Sequence, residues 1–192
     1  MDECRLMAHW NSRSETYNRF VVNGYRNIRE KRSWQKLYSD ALGSHGMKVL
    51  DVGCGPGILS MQLADSGFTV TGVDFSEEML RHARENSEAN DLDIRFINAD
   101  ATDLPFDDGE FDAVVSGYML WTVSDPAAVI SEWYRVLRPG GRLVYVDGDW
   151  MHDSRMTPMR MRLSSWASRI DDPDRKEEDD DGGIMGSLWS SE

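Results

Sequence analysis

Apolar and polar residues alternate along this chain in two rhythms. Over residues 1–46 the spacing is three and four: Trp10, Arg13 and Tyr17, then Ile28, Trp34, Leu37, Tyr38 and Leu42. That period predicts helices, and "GSHG" (43–46) ends the region in a turn. From residue 47 short β-rich runs alternate with helical patterns. "MKVLDV" (47–52), "TVTGVD" (69–74), "IRFINAD" (94–100), "FDAVVSG" (111–117) and "RLVYVD" (142–147) predict five strands. "GILSMQLADSG", "SEEMLRHARENSEAN" and "PAAVISEWYRVL" (126–137) predict the helices between them. Ser76 is a natural N-cap, with Glu77 and Glu78 in the first turn where the helix dipole favours acids. Pro126 opens the last of these helices, and "RPGG" (138–141) turns the chain into the fifth strand.

Strands separated by helices imply an α/β fold with a mainly parallel sheet covered on both faces. Right-handed crossovers make it a doubly wound, Rossmann-like layer, whose ligands gather at the carboxyl ends of the strands. Asp51, Asp74, Asp100, Ser116 and Asp147 fall at those ends. After Trp150 the rhythm changes: Met156, Met159, Leu163, Trp166 and Ile170 share the spacing of one helical face, with arginines between. An amphipathic helix packed on its own domain is expected there, with a partner-binding or membrane-surface helix as the alternative. No sixth strand is expected. The acidic run "DDPDRKEEDDD" (171–181) reads as a solvated connector. The expected division is a helical N-terminal lid (1–46), a ligand-binding core (47–150) and an atypical C-terminal helix with acidic tail (151–192).

Length and charge narrow the classes. The 192 residues suit one well-cored domain, and 40% of them are apolar. A formal charge of −13 is a poor match for a nucleic-acid backbone, although a locally basic patch is compatible with it. Two cysteines, Cys4 and Cys54, make no disulfide framework and suit a reducing cytoplasm. The N-terminus lacks a signal-peptide pattern, and no apolar run approaches the roughly 20 residues that span a bilayer. A cytoplasmic location is expected.

The chemistry concentrates at "VLDVGCGPG" (49–57). Glycines at 53, 55 and 57 form GxGxG, whereas the dinucleotide fingerprint wants GxGxxG and position 58 is Ile. Asp51, ending the first strand, would repel a pyrophosphate held at this turn. The same carboxylate suits a phosphate-free cofactor that presents an ammonium group, as S-adenosylmethionine does. The glycines let the backbone approach the methionine part closely. Asp74, at the end of the second strand, can accept from both ribose hydroxyls. Asp100, ending the third, can accept from the adenine amino group, with the backbone N–H of Ala101 placed for a ring nitrogen. Phe75 and Met79 can pack on the adenine face. A lone aspartate at a strand end is more often only a turn or helix cap; three on successive strand ends suit three donor groups of one nucleoside.

These residues resemble class I S-adenosylmethionine-dependent methyltransferases, in particular the small-molecule branch that includes the ubiquinone/menaquinone-biosynthesis C-methyltransferases. The stretches that carry the resemblance are "VLDVGCGPG", "VTGVDFSEEML", "NADATDLPFDDGEFDAVVSGYML" and "EWYRVLRPGGRLVYVD", covering 47–147 almost without a gap. The resemblance implies that Asp51, Gly53, Cys54, Gly55 and Gly57 surround the methionine part and that Asp74 holds the ribose beside Phe75. It implies that Asp100 and Ala101 read the adenine and that Ser116 and Gly117 line the floor beneath the sulfonium. "HWNSRSETYNRF" is similar to the branch's helical lid, which makes Tyr17 a candidate cap over the cofactor. The chain departs from the family in showing no pattern for the usual terminal antiparallel hairpin. It also lacks the Asn-Pro-Pro-Tyr type of signature of many adenine and glutamine N-methyltransferases.

Methyl transfer from a sulfonium is an in-line displacement, for which the protein mainly supplies position and exclusion of water. No catalytic side chain is therefore assigned. His9, His152, Asp147 and Asp149 are candidate bases. His45, in a turn, and His82, on an exposed helix face, are set aside. Cys4 with His9 makes too small a donor set for a metal, and Cys54 reads as packing. Trp10, Trp121 and Trp150 can wall a flat or apolar acceptor or pack in the core. The expected function is methyl transfer from S-adenosylmethionine to a small molecule. Two rivals remain: a non-catalytic module that binds the cofactor or a partner, and an NAD(P)-dependent oxidoreductase.

Overall fold

The computed structural model describes residues 3–43, 45–148 and 161–165. Two helices come first, α1 (Glu3–Arg26) and α2 (Ile28–Leu42), separated only by Asn27. Next come β1 (Lys48–Val52), α3 (Ile58–Asp65), β2 (Thr69–Asp74), α4 (Glu77–Glu88), β3 (Arg95–Asn98) and β4 (Phe111–Gly117). A short 3₁₀ turn, α5 (Pro126–Val136), β5 (Leu137–Gly148) and β6 (Met161–Ser165) complete the order. The strands lie in the order β3-β2-β1-β4-β5-β6, parallel up to β5, with β6 antiparallel to it. The order reverses between β1 and β4, so the crevice at their carboxyl ends is the place for a ligand.

Strand alternation builds two apolar cores. On one face Val49, Val70, Ala113, Val115, Val144 and Val146 meet Tyr38 and Leu42 of α2 and Leu63 of α3. On the other Leu50, Val52, Val73 and Val114 meet Val129, Trp133 and Val136 of α5, with Leu104 and Phe106 from the loop before β4. Both faces of β1 are therefore buried, which is why it reads as a continuous apolar run. The predicted caps form: Ser76 accepts from the Met79 N–H, and Asp125 accepts from the Ala128 N–H ahead of Pro126. "RPGG", read as a turn ahead of the fifth strand, lies within it. β5 starts at Leu137 and carries the glycines as an irregularity between its pairings with Phe111 and Ala113.

The C-terminal region differs from the reading of its pattern. Residues 161–165, expected within an amphipathic helix, form a sixth strand that pairs from Val144↔Ser165 to Gly148↔Met161. The physical reason is the open edge of β5, whose backbone donors and acceptors take a partner strand. The rest of the predicted helix and the acidic run lie outside the described residues. Among the described residues no helix is long and apolar enough to cross a membrane.

Candidate functional site: the glycine turn beneath the first helix

The turn after β1 is held from below by β2. The N–H groups of Gly53 and Cys54 both donate to the Val73 carbonyl at 2.9 Å, and the Gly57 N–H closes the turn on the Cys54 carbonyl. Gly53, Gly55 and Gly57 have φ of +71°, +52° and +80°, the left-handed region that favours glycine. Gly57 is also closely packed, because a Cβ there would stand 3.0 Å from the Ala83 methyl and 3.1 Å from the Phe96 ring. Cys54 is buried, and burial pushes its thiol well above its ordinary pKa, so the packing reading of its side chain fits.

Asp74 joins the turn to the next strand. One carboxylate oxygen accepts from the Gly55 N–H at 2.9 Å and the other from the Ser76 N–H at 2.9 Å. Burial pushes its pKa up to about 6, against the lowering effect of those bonds. Asp51 shares the parity of Val49 along β1 and so faces the α3 side of the sheet. There Ser60 donates to its Oδ2 at 2.6 Å, while Oδ1 is buried with no hydrogen-bond partner. Burial pushes Asp51 up to about 7; Ser60 opposes the shift and Asp74 adds to it. The glycine turn is thus underlain by two buried carboxylates, a setting hostile to phosphate and favourable to a cation.

Helix α1 roofs the turn. The Tyr17 ring lies 3.8 Å from where a Gly55 Cβ would be, and burial followed by the Asp74 charge raises its phenol pKa. Trp10 meets Tyr17 edge-on at 5.6 Å, and His9 meets Trp10 the same way. Three asparagines latch the roof. Ser76 donates to Asn11, and Asn86 donates both to Asn18 at 2.8 Å and to the Pro56 carbonyl at 2.9 Å. His82, expected on an exposed face, is only 2% exposed, because α1 packs over α4. Its ring lies 3.2 Å from the Asn18 amide and 3.5 Å from the Glu15 carboxylate.

The remaining predicted residues sit around this centre. Phe75 is half-buried, and its carbonyl and that of Asp74 accept from Asn98. Met79 is buried beneath the cap. Asp100 is exposed, with Oδ1 accepting from the Thr102 N–H and hydroxyl, and Ala101 packs against the α5-side core. The Ser116 hydroxyl donates to the Val52 carbonyl inside the sheet, so Ser116 and Gly117 present the crevice mainly with backbone. Trp121 is 54% exposed and Asp147 half-buried at the end of β5. Asp149, Trp150 and His152 lie outside the described residues.

Three residues escape a reading of the sequence alone. Met119 lies on Gly53, its Cγ 2.5 Å from where a Cβ would stand, delivered by Tyr118 at φ +58°. Ser60 is betrayed only by being polar within the apolar stretch "GILSMQLA". Asn86 has no local signal, since its partners lie 68 and 30 residues away. A cleft of about 350 Å³ between the α1–α2 elbow and α3–α4 shares no residue with the predicted cofactor set. Among the described residues no group of three metal-ligating side chains occurs.

Residues 50–145, from the first strand to the last parallel one, match the family model described as a methyltransferase domain. The chain belongs to that family. It is 40% identical over 128 residues to a demethylmenaquinone methyltransferase of Renibacterium salmoninarum, covering 66% of this chain and 52% of that protein. It is 41% identical over 117 residues to the Thermus thermophilus protein of the same name, covering 59% and 53%. The chain spans about half the length of these curated relatives. Among solved structures, a Methanococcus maripaludis protein provisionally assigned as an S-adenosyl-L-methionine-dependent methyltransferase superposes with a TM-score of 0.66 at 25% identity. That match covers 72% of this chain and 64% of the other. An Aquifex aeolicus SAM-dependent methyltransferase shares the fold at 0.64 and 22% identity, covering 77% and 78%. The residues present fit the cofactor expected from the sequence, S-adenosylmethionine. Asp51 holds a buried acceptor without a donor, and it lies with Asp74 beneath the turn, a pair of carboxylates that suits a positively charged group.

Proposed function

We propose that the chain transfers the methyl group of S-adenosylmethionine to a small-molecule acceptor, an electron-rich ring of the demethylmenaquinone kind. The observation that carries the proposal is the pair of buried carboxylates, Asp51 and Asp74, beneath a glycine turn roofed by Tyr17. S-adenosylmethionine supplies an electrophilic methyl on a positively charged sulfur. In this reading Asp51, Gly53, Cys54, Gly55 and Gly57 border the methionine part, with the negative potential of Asp51 favouring the cation. Asp74 faces the ribose, Phe75 and Met79 border the adenine, and Asp100 with Ala101 meets its polar edge. Ser116 and Gly117 form the floor. Tyr17 and Trp10 exclude water and align the donor, the main contribution a protein makes to such a displacement. An enolised ring carbon loses its proton after attack, so the transfer needs no early base. The acceptor class is supported by the relatives named demethylmenaquinone methyltransferase.

The test is incubation of the chain with labelled S-adenosylmethionine and reduced demethylmenaquinone, followed by chromatography for the methylated ring and S-adenosylhomocysteine. Stoichiometric formation of both is expected. Calorimetric binding of S-adenosylhomocysteine without transfer to this or other phenolic acceptors would favour the non-catalytic module. Binding of a pyridine dinucleotide in its place would favour the oxidoreductase.

A further inference from the structure

The charge of this molecule is segregated. Residues 3–42, the two N-terminal helices, carry eight Lys and Arg against four Asp and Glu, a net +4. Residues 43–148, the sheet and its other helices, carry seven against eighteen, a net −11. Within α1 and α2 the side chains of Arg13, Arg19, Arg29 and Arg32 are exposed and form no ion pair with the described side chains, whereas Lys31 and Lys36 are paired with Asp65 and Asp40. The same two helices expose large apolar side chains. Phe20 is 76% exposed and Ile28 is 66% exposed, the two most exposed large apolar residues described. Arg13 and Phe20, seven residues apart, share one face of α1, and Ile28 begins α2 just beyond the elbow.

We propose that the α1–α2 elbow is a docking surface for an anionic lipid bilayer. The exposed arginines pair with acidic headgroups while Phe20 and Ile28 enter the acyl boundary, a combination suited to an interface with both charge and hydrocarbon. A nucleic-acid strand or an acidic protein would meet the same cations but gives an exposed isoleucine no hydrocarbon to enter. The acidic remainder of the molecule is repelled from such a surface, which orients the chain with its helices down. Tyr17, three residues before Phe20 on α1, roofs the glycine turn, so the docked face adjoins the lid. The inference goes beyond the proposed acceptor and does not depend on it.

Flotation of the whole chain with phosphatidylcholine vesicles, with and without phosphatidylglycerol as about a third of the lipid, tests the proposal. Binding is expected only to the acidic vesicles, and it weakens as salt rises from about 0.1 to about 0.5 M. The Arg19→Gln/Arg29→Gln/Arg32→Gln variant loses roughly fivefold per arginine, on the order of a hundredfold together. Phe20→Ser/Ile28→Ser loses about tenfold or more. Both variants retain S-adenosylhomocysteine affinity by calorimetry, which separates docking from folding and from the cofactor reading. Equal binding to both vesicle types, undiminished binding by either variant, or tighter capture of a DNA or RNA oligonucleotide than of acidic vesicles overturns it.

Discussion

Asp51 and Asp74 are carboxylates whose chemistry folding changes. Both hold protons in the folded chain at pH values where the unfolded chain has released them, because burial raises them to about 7 and about 6. The folded state then binds more protons between roughly pH 4 and 7, so stability falls as pH rises through that window. The urea midpoint of the ligand-free chain is expected to be higher at about pH 5 than at about pH 7.5. Asp51→Asn, which keeps an acceptor for Ser60, flattens the slope; an unchanged slope removes Asp51 as its source. Asp65 and Glu132 are shifted down by Lys31 and Arg135 and act on the acid side of the window. A cationic cofactor favours ionised Asp51, so its affinity rises toward neutral pH, and calorimetry in buffers of different ionisation enthalpy reports a released proton. Asp74→Ala is expected to weaken S-adenosylhomocysteine binding by about 1.5–3 kcal/mol, the range for hydrogen bonds to a charged group. Gly57→Ala is expected to destabilise the chain by about 1–3 kcal/mol, from its positive φ and the Ala83 contact, as read from urea melts.

At the scale of elements, α1 is a roof held by polar contacts rather than by a deep apolar seam. Asn86 is the junction, since it ties Asn18 of the roof to Pro56 of the turn. Asn86→Ala is expected to raise the dissociation constant for S-adenosylhomocysteine severalfold and to speed proteolytic cutting within α1, because each lost bond of this kind contributes about 1 kcal/mol. Unaltered affinity with faster cutting would show the latch to be structural alone. The strands, by contrast, were legible from their apolar runs, and Ser76 and Pro126 marked helix starts that formed as read. β6 was not, because "MRMRL" suits a helical spacing and a two-residue alternation equally, and the open edge of β5 decides between them.

For the whole molecule, cofactor binding must couple to stability, since a folded crevice binds and an unfolded chain does not. With S-adenosylhomocysteine at about a hundred times its dissociation constant, stabilisation is expected to be about 2.7 kcal/mol, a rise in melting temperature of several degrees by scanning fluorimetry. No shift with this ligand and a shift with a pyridine dinucleotide would reverse the cofactor reading. Charge segregation acts at the same scale: a net −13 hides a pair of helices that carries a net +4.

Local order along the chain was enough to place β1, the glycine turn and the aspartates at successive strand ends, because those features depend on neighbours in sequence. Which way each side chain faces depends on neighbours in space. Asp51 lies under α3 with Ser60, Ser116 turns into the sheet, and His82 is covered by α1, since packing across 9, 64 and 64 residues settled each of them. A sequence records periodicity and residue chemistry; burial, which moves a carboxylate toward neutrality and a histidine out of water, arises only when distant segments close over one another.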